Sequence, residues 1–399
     1  MNIIYITSSL PYGPGEAFIL PELAELSKRG HQVWVVPMNG RGDLLHTGVQ
    51  DLIHRCLSAK LLDRQIAFGA IAEFIRAPRV SVEAICMLWT PKLRHLGKNL
   101  SIVPKGLWLA REARRLDIHH IHVHWAATTA SMGMVASEIS GVPWSFTAHR
   151  WDIVESNLLD RKARHAQFVR FISKNGLHLA RARGLSADID AIVLHMGVRL
   201  PLSIAQKTRR SPKKHILCPA NLIEVKGHRF LLDAMARLPD GSSELWLAGH
   251  GVLEKELREQ VKRLGIEKRV RFLGQLPHQE LLDLYRREEV DIVVLPSLDL
   301  GDGLHEGIPV SLIEAMGQRV PVVSTLTGGI AELLGDGAGL LVPPADVGAL
   351  VDALKGLLED SEKRRTIGCA GYNRVQSRFS ITSVTEQLEQ QFAKERVQA

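Results

Sequence analysis

Apolar positions near the start of the chain change period twice. Residues 2–8 form a short apolar, strand-like run, residues 17–28 recur at helical spacing, and residues 33–36 form a second run. A loop holding Gly13 and Gly15 joins the first run to the helix, and Gly30 closes the helix. Strand, glycine loop, helix and strand predict the opening of a doubly wound α/β domain. Further strands are predicted at 118–125, 144–148, 168–173 and 191–194, with a small-residue helix over 126–140. The alternation restarts after residue 214. Strands are predicted at 215–218, 244–247, 270–273, 291–295, 320–324 and 340–342. Helices fall between them at 229–237, 253–264, 279–286, 309–316, 330–334 and 347–358. A helical, charged tail covers 362–394.

This pattern divides the chain. Residues 1–200 read as one α/β domain and 215–375 as a second, with 376–399 as a closing helix. Between them, 201–214 carries two prolines and the basic cluster Lys207, Arg209, Arg210, Lys213 and Lys214, which reads as a linker. A chain of 399 residues exceeds what one core usually holds, so two domains also follow from length.

Composition narrows the function classes. Apolar residues make up 45% and charged residues 23%, ordinary for a globular protein. No apolar run reaches the ~18 residues of a membrane span. The start reads as a first strand and not as a signal peptide, for it lacks a basic leader and an apolar core of proper length. Cys56, Cys86, Cys218 and Cys369 are scattered, which points to a reducing cytoplasm and away from disulfides or zinc. The net charge of +7 suits an anionic partner. No nucleic-acid module accompanies it, which leaves a phosphorylated ligand or an anionic membrane surface. The stretch 44–115 concentrates Arg and Lys among apolar residues on predicted helices. It reads either as a solvated helical insertion or as a basic amphipathic surface for anionic lipid or a lipid-linked substrate.

The chemistry concentrates in 296–332. An apolar strand feeds a Gly- and Asp-rich loop ending in Glu306, Gly307, Ile308 and Pro309, and a helix then carries Glu314. Open α/β sheets place ligands at the carboxyl ends of strands. A helix N-terminus there offers N–H groups to an anion, and carboxylates beside it hold hydroxyls. A ligand with phosphates and many hydroxyls is a nucleotide-sugar. Glu314 sits in an apolar stretch and is expected to be partly buried, with ribose hydroxyls as its donors. Pro309 is expected in the first helical turn. Asn221 to Gly227 follows the first strand of the second domain, where Lys226 suits a phosphate and Gly227 allows close backbone approach. Gly249 and Gly251 follow the next strand, and Gly328-Gly329 opens a helix; each is also ordinary turn chemistry. His149 ends a strand, where a neutral imidazole can orient a sugar hydroxyl. His122 and His124 alternate on one strand face as two zinc ligands would, but no carboxylate or Cys set is seen to complete a site.

These residues resemble retaining GT-B glycosyltransferases of family four, which include many bacterial exopolysaccharide and lipopolysaccharide enzymes. Glu306 to Pro309 with Glu314 to Met316 looks like the family's Glu-x7-Glu motif, and Leu222 to Gly227 like its Lys-Gly phosphate motif. Val270 to Gly274, with residues 291–297, resembles the strands beside the base pocket. Thr147-Ala148-His149 with Asp152 resembles the acceptor-domain histidine motif. The resemblance implies an α/β GT-B fold, two Rossmann-like doubly wound domains facing across a cleft, with the closing helix packed back on the first. It implies a UDP- or GDP-sugar donor on the C-terminal domain and a saccharide or lipid-linked acceptor on the N-terminal one. By position, Lys226 would meet the donor diphosphate, Glu314 the ribose, and Glu306 the transferred sugar. Asn221, Gly227, Gly249, Gly251, Leu273, Gly274, Gly307, Ile308, Pro309 and Val310 would line the donor, with N–H groups of 308–310 near the sugar. His149 would contact the sugar or its leaving oxygen, and Gly13, Gly15 and Asp152 belong to the acceptor side. Transfer with retention is implied, without cofactor or metal; Asp299 and Asp302 are spaced too widely for the usual metal motif. One position departs: the family usually has Arg five residues before the lysine, and here Asn221 stands there. Arg199 and His228 are the candidate substitutes, and some polysaccharide-type members share a small polar residue. A nucleotide-sugar epimerase and a non-catalytic binding or scaffold subunit are the competing readings.

Overall fold

The computed structural model describes residues 1–13, 15–43, 54–58, 60–200, 213–241, 243–301 and 304–394. Two compact units are present. One comprises Met1–His195 with Val384–Ala399, the other Met196–Ser383.

The first unit holds a six-stranded sheet of β1 (Asn2–Thr7), β2 (Gln32–Pro37), β3 (His120–His124), β4 (Trp144–Ala148), β5 (Phe168–Phe171) and β6 (Ala191–Val193). Its order is β2-β1-β3-β4-β5-β6, with every pair parallel. Parallel strands are covered on both faces, so they read as unbroken apolar runs; β3 and β4 are buried at every residue. One face packs on helices Arg64–Arg76, Pro78–Cys86, Leu93–Ser101, Val103–Arg115 and Thr128–Ser140, through Trp108, Val135 and Met132 among others. The opposite face packs on helix Leu20–Lys28 and on the late helix Ile381–Phe392, through Leu23, Leu388 and Phe392.

The second unit repeats the plan with β7 (Lys214–Pro219), β8 (Ser243–Ala248), β9 (Val270–Gly274), β10 (Ile292–Leu295), β11 (Val322–Thr325) and β12 (Leu340–Val342). Its order is β12-β11-β10-β7-β8-β9, again all parallel. Counted from its own first strand, this is 3-2-1-4-5-6, the Rossmann order. Its connections reverse direction between β7 and β10, and ligands of such sheets sit at that reversal.

Two boundaries differ from the sequence reading. The first unit ends at His195 and not at residue 200, because Val198 bridges to Ser380 and exchanges backbone bonds with Phe379 and Ile381. The closing helix is not 376–399. Helix Ser361–Arg378 belongs to the second unit, and the chain joins the first from Val384, within helix Ile381–Phe392. Most of the expected linker (201–212), the start of the basic insertion (44–53), Pro14, Asp302 and residues 395–399 lie outside the described residues. Among the described residues no helix is long and apolar enough to cross a membrane.

Candidate active site

In the second unit the site forms where β7 and β10 end. Beyond β7 the chain runs through Asn221, which is exposed, and Leu222, which is buried. A short 3-10 turn, Glu224–Lys226, follows, and Gly227 then adopts a left-handed conformation. An added Cβ at Gly227 would lie 2.0 Å from the Pro296 carbonyl, so only glycine fits there. The Leu298 N–H donates to the Val225 carbonyl at 2.8 Å. These two contacts bind the β7 exit to the β10 exit. They bring Lys226 Nζ to 2.8 Å from Glu306 Oε1, with both side chains mostly covered.

The Glu306 loop has its own support. Its carbonyl accepts from the Gly329 N–H, and a Cβ on Gly328 would meet that carbonyl at 1.8 Å. Gly328-Gly329, which reads from sequence as a turn opening a helix, therefore seats Glu306. Pro309 is the N-cap of helix Val310–Gly317 and not a residue of its first turn. Having no N–H, it drops out of the donor set at 308–310, leaving Ile308 and Val310. Gly307 has open space where a Cβ would stand.

Glu314 is mostly buried, but its donor is a protein group. His278 Nε2 lies 2.6 Å from Glu314 Oε1. The carboxylate raises the His278 pKa above the ordinary histidine value, against partial burial. His278 has no signal in the sequence beyond its place at a helix start.

Several glycines have packing explanations. A Cβ on Gly249 would lie 2.1 Å from the Ala220 carbonyl, and one on Gly251 2.3 Å from that of Leu222. The loop after β8 thus rests directly on the loop after β7. Leu273 and Gly274 close the edge strand β9, and the space beside Gly274 is open. His228 is not a substitute for the missing arginine. It is 1% exposed, both ring nitrogens lack partners, and burial, aided by Lys226, lowers its pKa to about 4. It is neutral at physiological pH. Arg199 is exposed.

In the first unit, His149 caps helix Arg150–Glu155. Its side chain accepts the Asp152 N–H while the Asp152 carboxylate accepts the His149 N–H. The second ring nitrogen is also taken, since His149 Nε2 lies 2.8 Å from His124 Nε2. Burial, then Arg170, lowers the His149 pKa to about 3. A neutral imidazole is what the sequence predicts, but here it is 8% exposed with both nitrogens engaged. Asp152 departs from its acceptor-side expectation: its Oδ2 accepts from the N–H groups of Ala126 (2.8 Å) and His149, and it is buried. Burial pushes its pKa up to about 7. The nearby Lys162, also buried, is pushed down to about 7 and donates to the carbonyls of Ala126 and Ala127.

Two residues here escape sequence reasoning. Glu16 accepts from the N–H groups of Ser8, Ser9 and Leu10 at 2.6–2.9 Å and from the Trp125 indole. Trp125, at the end of β3, has φ 109°, a strained value for a bulky residue. Its ring centroid lies 4.4 Å from that of His149. Gly13 has φ 72° and donates its N–H to the Asp43 carbonyl, while Gly15 is open.

The histidine pair of β3 needs a correction. A carboxylate does reach it: Glu22, His122 and His124 present ligand atoms within 4.8 Å of one another. Those of Glu22 and His122 are already committed. Glu22 takes the buried Arg170 guanidinium at 2.7 Å and the Tyr5 hydroxyl, and His122 meets Ser145 and Thr147. A fixed guanidinium on the one carboxylate that the described residues bring to this cluster disfavours a cation. An Asp-x-Asp spacing occurs at Asp188 and Asp190, outside the donor loop, where Asp188 pairs with Arg164 at 3.0 Å.

A lysine and two carboxylates at the reversal point of a parallel α/β sheet have the chemistry to hold the phosphates and hydroxyls of a nucleotide-sugar. Residues 202–374 match the family described as Glycosyl transferases group 1. The chain is similar to the amylovoran biosynthesis glycosyltransferase AmsK of Erwinia amylovora, 25% identical over 97% of this chain and 98% of that protein. It is 32% identical to the GDP-mannose-dependent monoacylated alpha-(1-6)-phosphatidylinositol monomannoside mannosyltransferase of Corynebacterium glutamicum, over 43% of this chain and 45% of that one. The fold is that of Anabaena Alr3699/HepE, solved in complex with UDP, with TM-score 0.73, 20% identity and coverage of 98% and 99% of the two chains. The fold is the GT-B fold of glycosyltransferases, and residues 202–374 carry the match to the group 1 family.

Proposed function

We propose that the chain moves a sugar, with retention of anomeric configuration, from a UDP- or GDP-sugar to a saccharide or lipid-linked saccharide acceptor in cell-surface polysaccharide assembly. The observation that carries this reading is the Lys226–Glu306 ion pair at the carboxyl ends of β7 and β10. A cation and a carboxylate held together in the free protein can separate onto a ligand with complementary ends. Lys226 would take the diphosphate, aided by the N–H groups that open helix Val310–Gly317. Glu306 would lie beside the sugar and Glu314 would hold the ribose, displacing His278. His149 is assigned to the sugar by resemblance; contact through Nε2 requires it to leave His124. The similar proteins support the donor and acceptor classes: Anabaena Alr3699/HepE binds UDP, and the corynebacterial enzyme is GDP-mannose-dependent and acts on a phosphatidylinositol mannoside. Charge stabilisation of the departing diphosphate is the main catalytic contribution.

The deciding experiment is a panel of UDP-, GDP- and ADP-sugars scored by rise in thermal midpoint and by slow release of free sugar without acceptor. Binding with turnover of one donor is expected. Binding without turnover, with or without acceptor, favours the scaffold reading, and interconversion of donor sugars the epimerase reading.

A further inference from the structure

Helix Arg64–Arg76 is apolar on two opposite sides. Its inner side carries Ile66, Gly69 and Ala70, all buried, and a Cβ on Gly69 would stand 2.5 Å from the Trp108 ring. Its outer side carries Phe68, Ile71 and Ile75 at i, i+3 and i+7, which are 71%, 58% and 73% exposed. A surface helix normally turns a polar stripe outward. The same insertion continues with Trp89 and Leu93, exposed by 61% and 81%. Scattered apolar residues need no explanation, but a stripe at helical spacing does.

The charges around it say what covers it. Between residues 60 and 101 the exposed charged side chains include Lys60, Arg64, Arg79, Lys92 and Arg94, and Glu83 is the one exposed acid. Glu73 is buried under Arg76 and Arg114. A pocket lined by Lys92, His95, Arg161 and Arg183 holds one acid, Asp160, among these basic groups. A second copy of this chain would set cation against cation. An anionic surface with an apolar interior complements both features at once.

We propose that this face of the N-terminal unit docks on an anionic lipid bilayer, with Phe68, Ile71 and Ile75 entering the boundary between headgroups and acyl chains and Arg64, Lys92 and Arg94 meeting lipid phosphates. The proposal names a physical partner for the lipid-linked acceptor reading and rests on it, but its test uses neither donor nor acceptor, so the two fail separately.

The test is co-sedimentation of the full chain with phosphatidylcholine vesicles, with and without phosphatidylglycerol. Wild type is expected to bind the anionic vesicles, to release with salt, and to shift Trp89 emission to the blue. Phe68→Ser with Ile71→Ser and Ile75→Ser should weaken binding on the order of a hundredfold. Arg64→Glu with Lys92→Glu and Arg94→Glu should abolish the preference for phosphatidylglycerol. These side chains are exposed, so both variants should keep the wild-type Tm and donor hydrolysis. Failure of wild type to bind anionic vesicles, equal binding by the triple-serine variant, or a wild-type dimer that this variant dissociates would each overturn the proposal.

Discussion

Lys226→Met removes one charge and leaves the loop's length and packing in place. In the free protein the lysine holds Glu306 at 2.8 Å, with side chains 18% and 14% exposed. The pair is partly solvated, so its loss costs about 1 kcal/mol. In a unit of this size that lowers Tm by roughly 2–4 °C. The effect on transfer is larger. Negative charge gathers on the diphosphate as its bond to the sugar breaks, and a fixed cation there stabilises the transition state more than the ground state. Removing one such group costs roughly 3–4 kcal/mol, a hundredfold to a thousandfold in kcat. The assay is release of nucleoside diphosphate at saturating donor and acceptor, with Lys226→Arg as a charge-retaining control. Arg keeps the charge but changes its shape, so partial activity is expected. A Lys226→Met enzyme with wild-type kcat and a normal Tm would refute the assignment, because the cation would then serve only the ion pair with Glu306.

Four further outcomes follow from the structure. Glu314→Gln should raise the donor Kd about tenfold, read by calorimetry, because a charged acceptor for hydroxyls becomes a neutral one. His278 adds a pH dependence. Its folded pKa is raised, so the stabilisation from its pair with Glu314 is complete below the unfolded histidine pKa and fades as pH rises through the folded one. Glu314 is released over that same window, so donor affinity should increase across it, and His278→Ala should flatten the profile; an unchanged profile in the variant would contradict this. Asn221→Arg places a second cation on the exposed start of the Lys226 loop and should tighten donor binding by about tenfold, whereas no gain would mean that the diphosphate lies elsewhere. Glu16→Gln turns an amide N–H toward three backbone donors and should cost about 2–3 kcal/mol, measured by urea denaturation.

The strands were legible because parallel sheets bury both faces, so β1, β4, β7, β8 and β10 leave short apolar runs bounded by turn residues. The site was legible in its parts. Glu306 and Glu314 stand close together on one loop and helix, and Lys226 follows a strand. Their junction was not, since the Lys226–Glu306 distance depends on Gly227 meeting Pro296 and on the bond from Leu298 to Val225, contacts between segments about seventy residues apart. Glycines misled in one respect: Gly249 and Gly251 suggest ligand approach, yet a Cβ on either would meet neighbouring backbone. Glu16 left no signal, because a carboxylate that collects N–H groups from residues just before it has no periodic signature. His228 and Asp152 kept their positions but not their expected roles, for burial neutralises the first and backbone donors occupy the second.

The late helix Ile381–Phe392 covers one face of the first sheet: Phe392 packs on His120 with ring centroids 4.6 Å apart, and Leu388 and Val384 lie in the same cluster as Ile3 and Tyr5. Synthesis therefore runs against the order of the units. When His195 leaves the ribosome, the first sheet has its strands but lacks the helix that closes this face. At ~5–20 residues per second, roughly 10–40 s pass before that helix emerges. In that interval the second unit is made in full while His120, His122 and Phe168 lack the Phe392 ring that covers them. The first unit to be translated is thus the last to be finished, and a fragment ending at His195 would carry the same bare apolar face permanently.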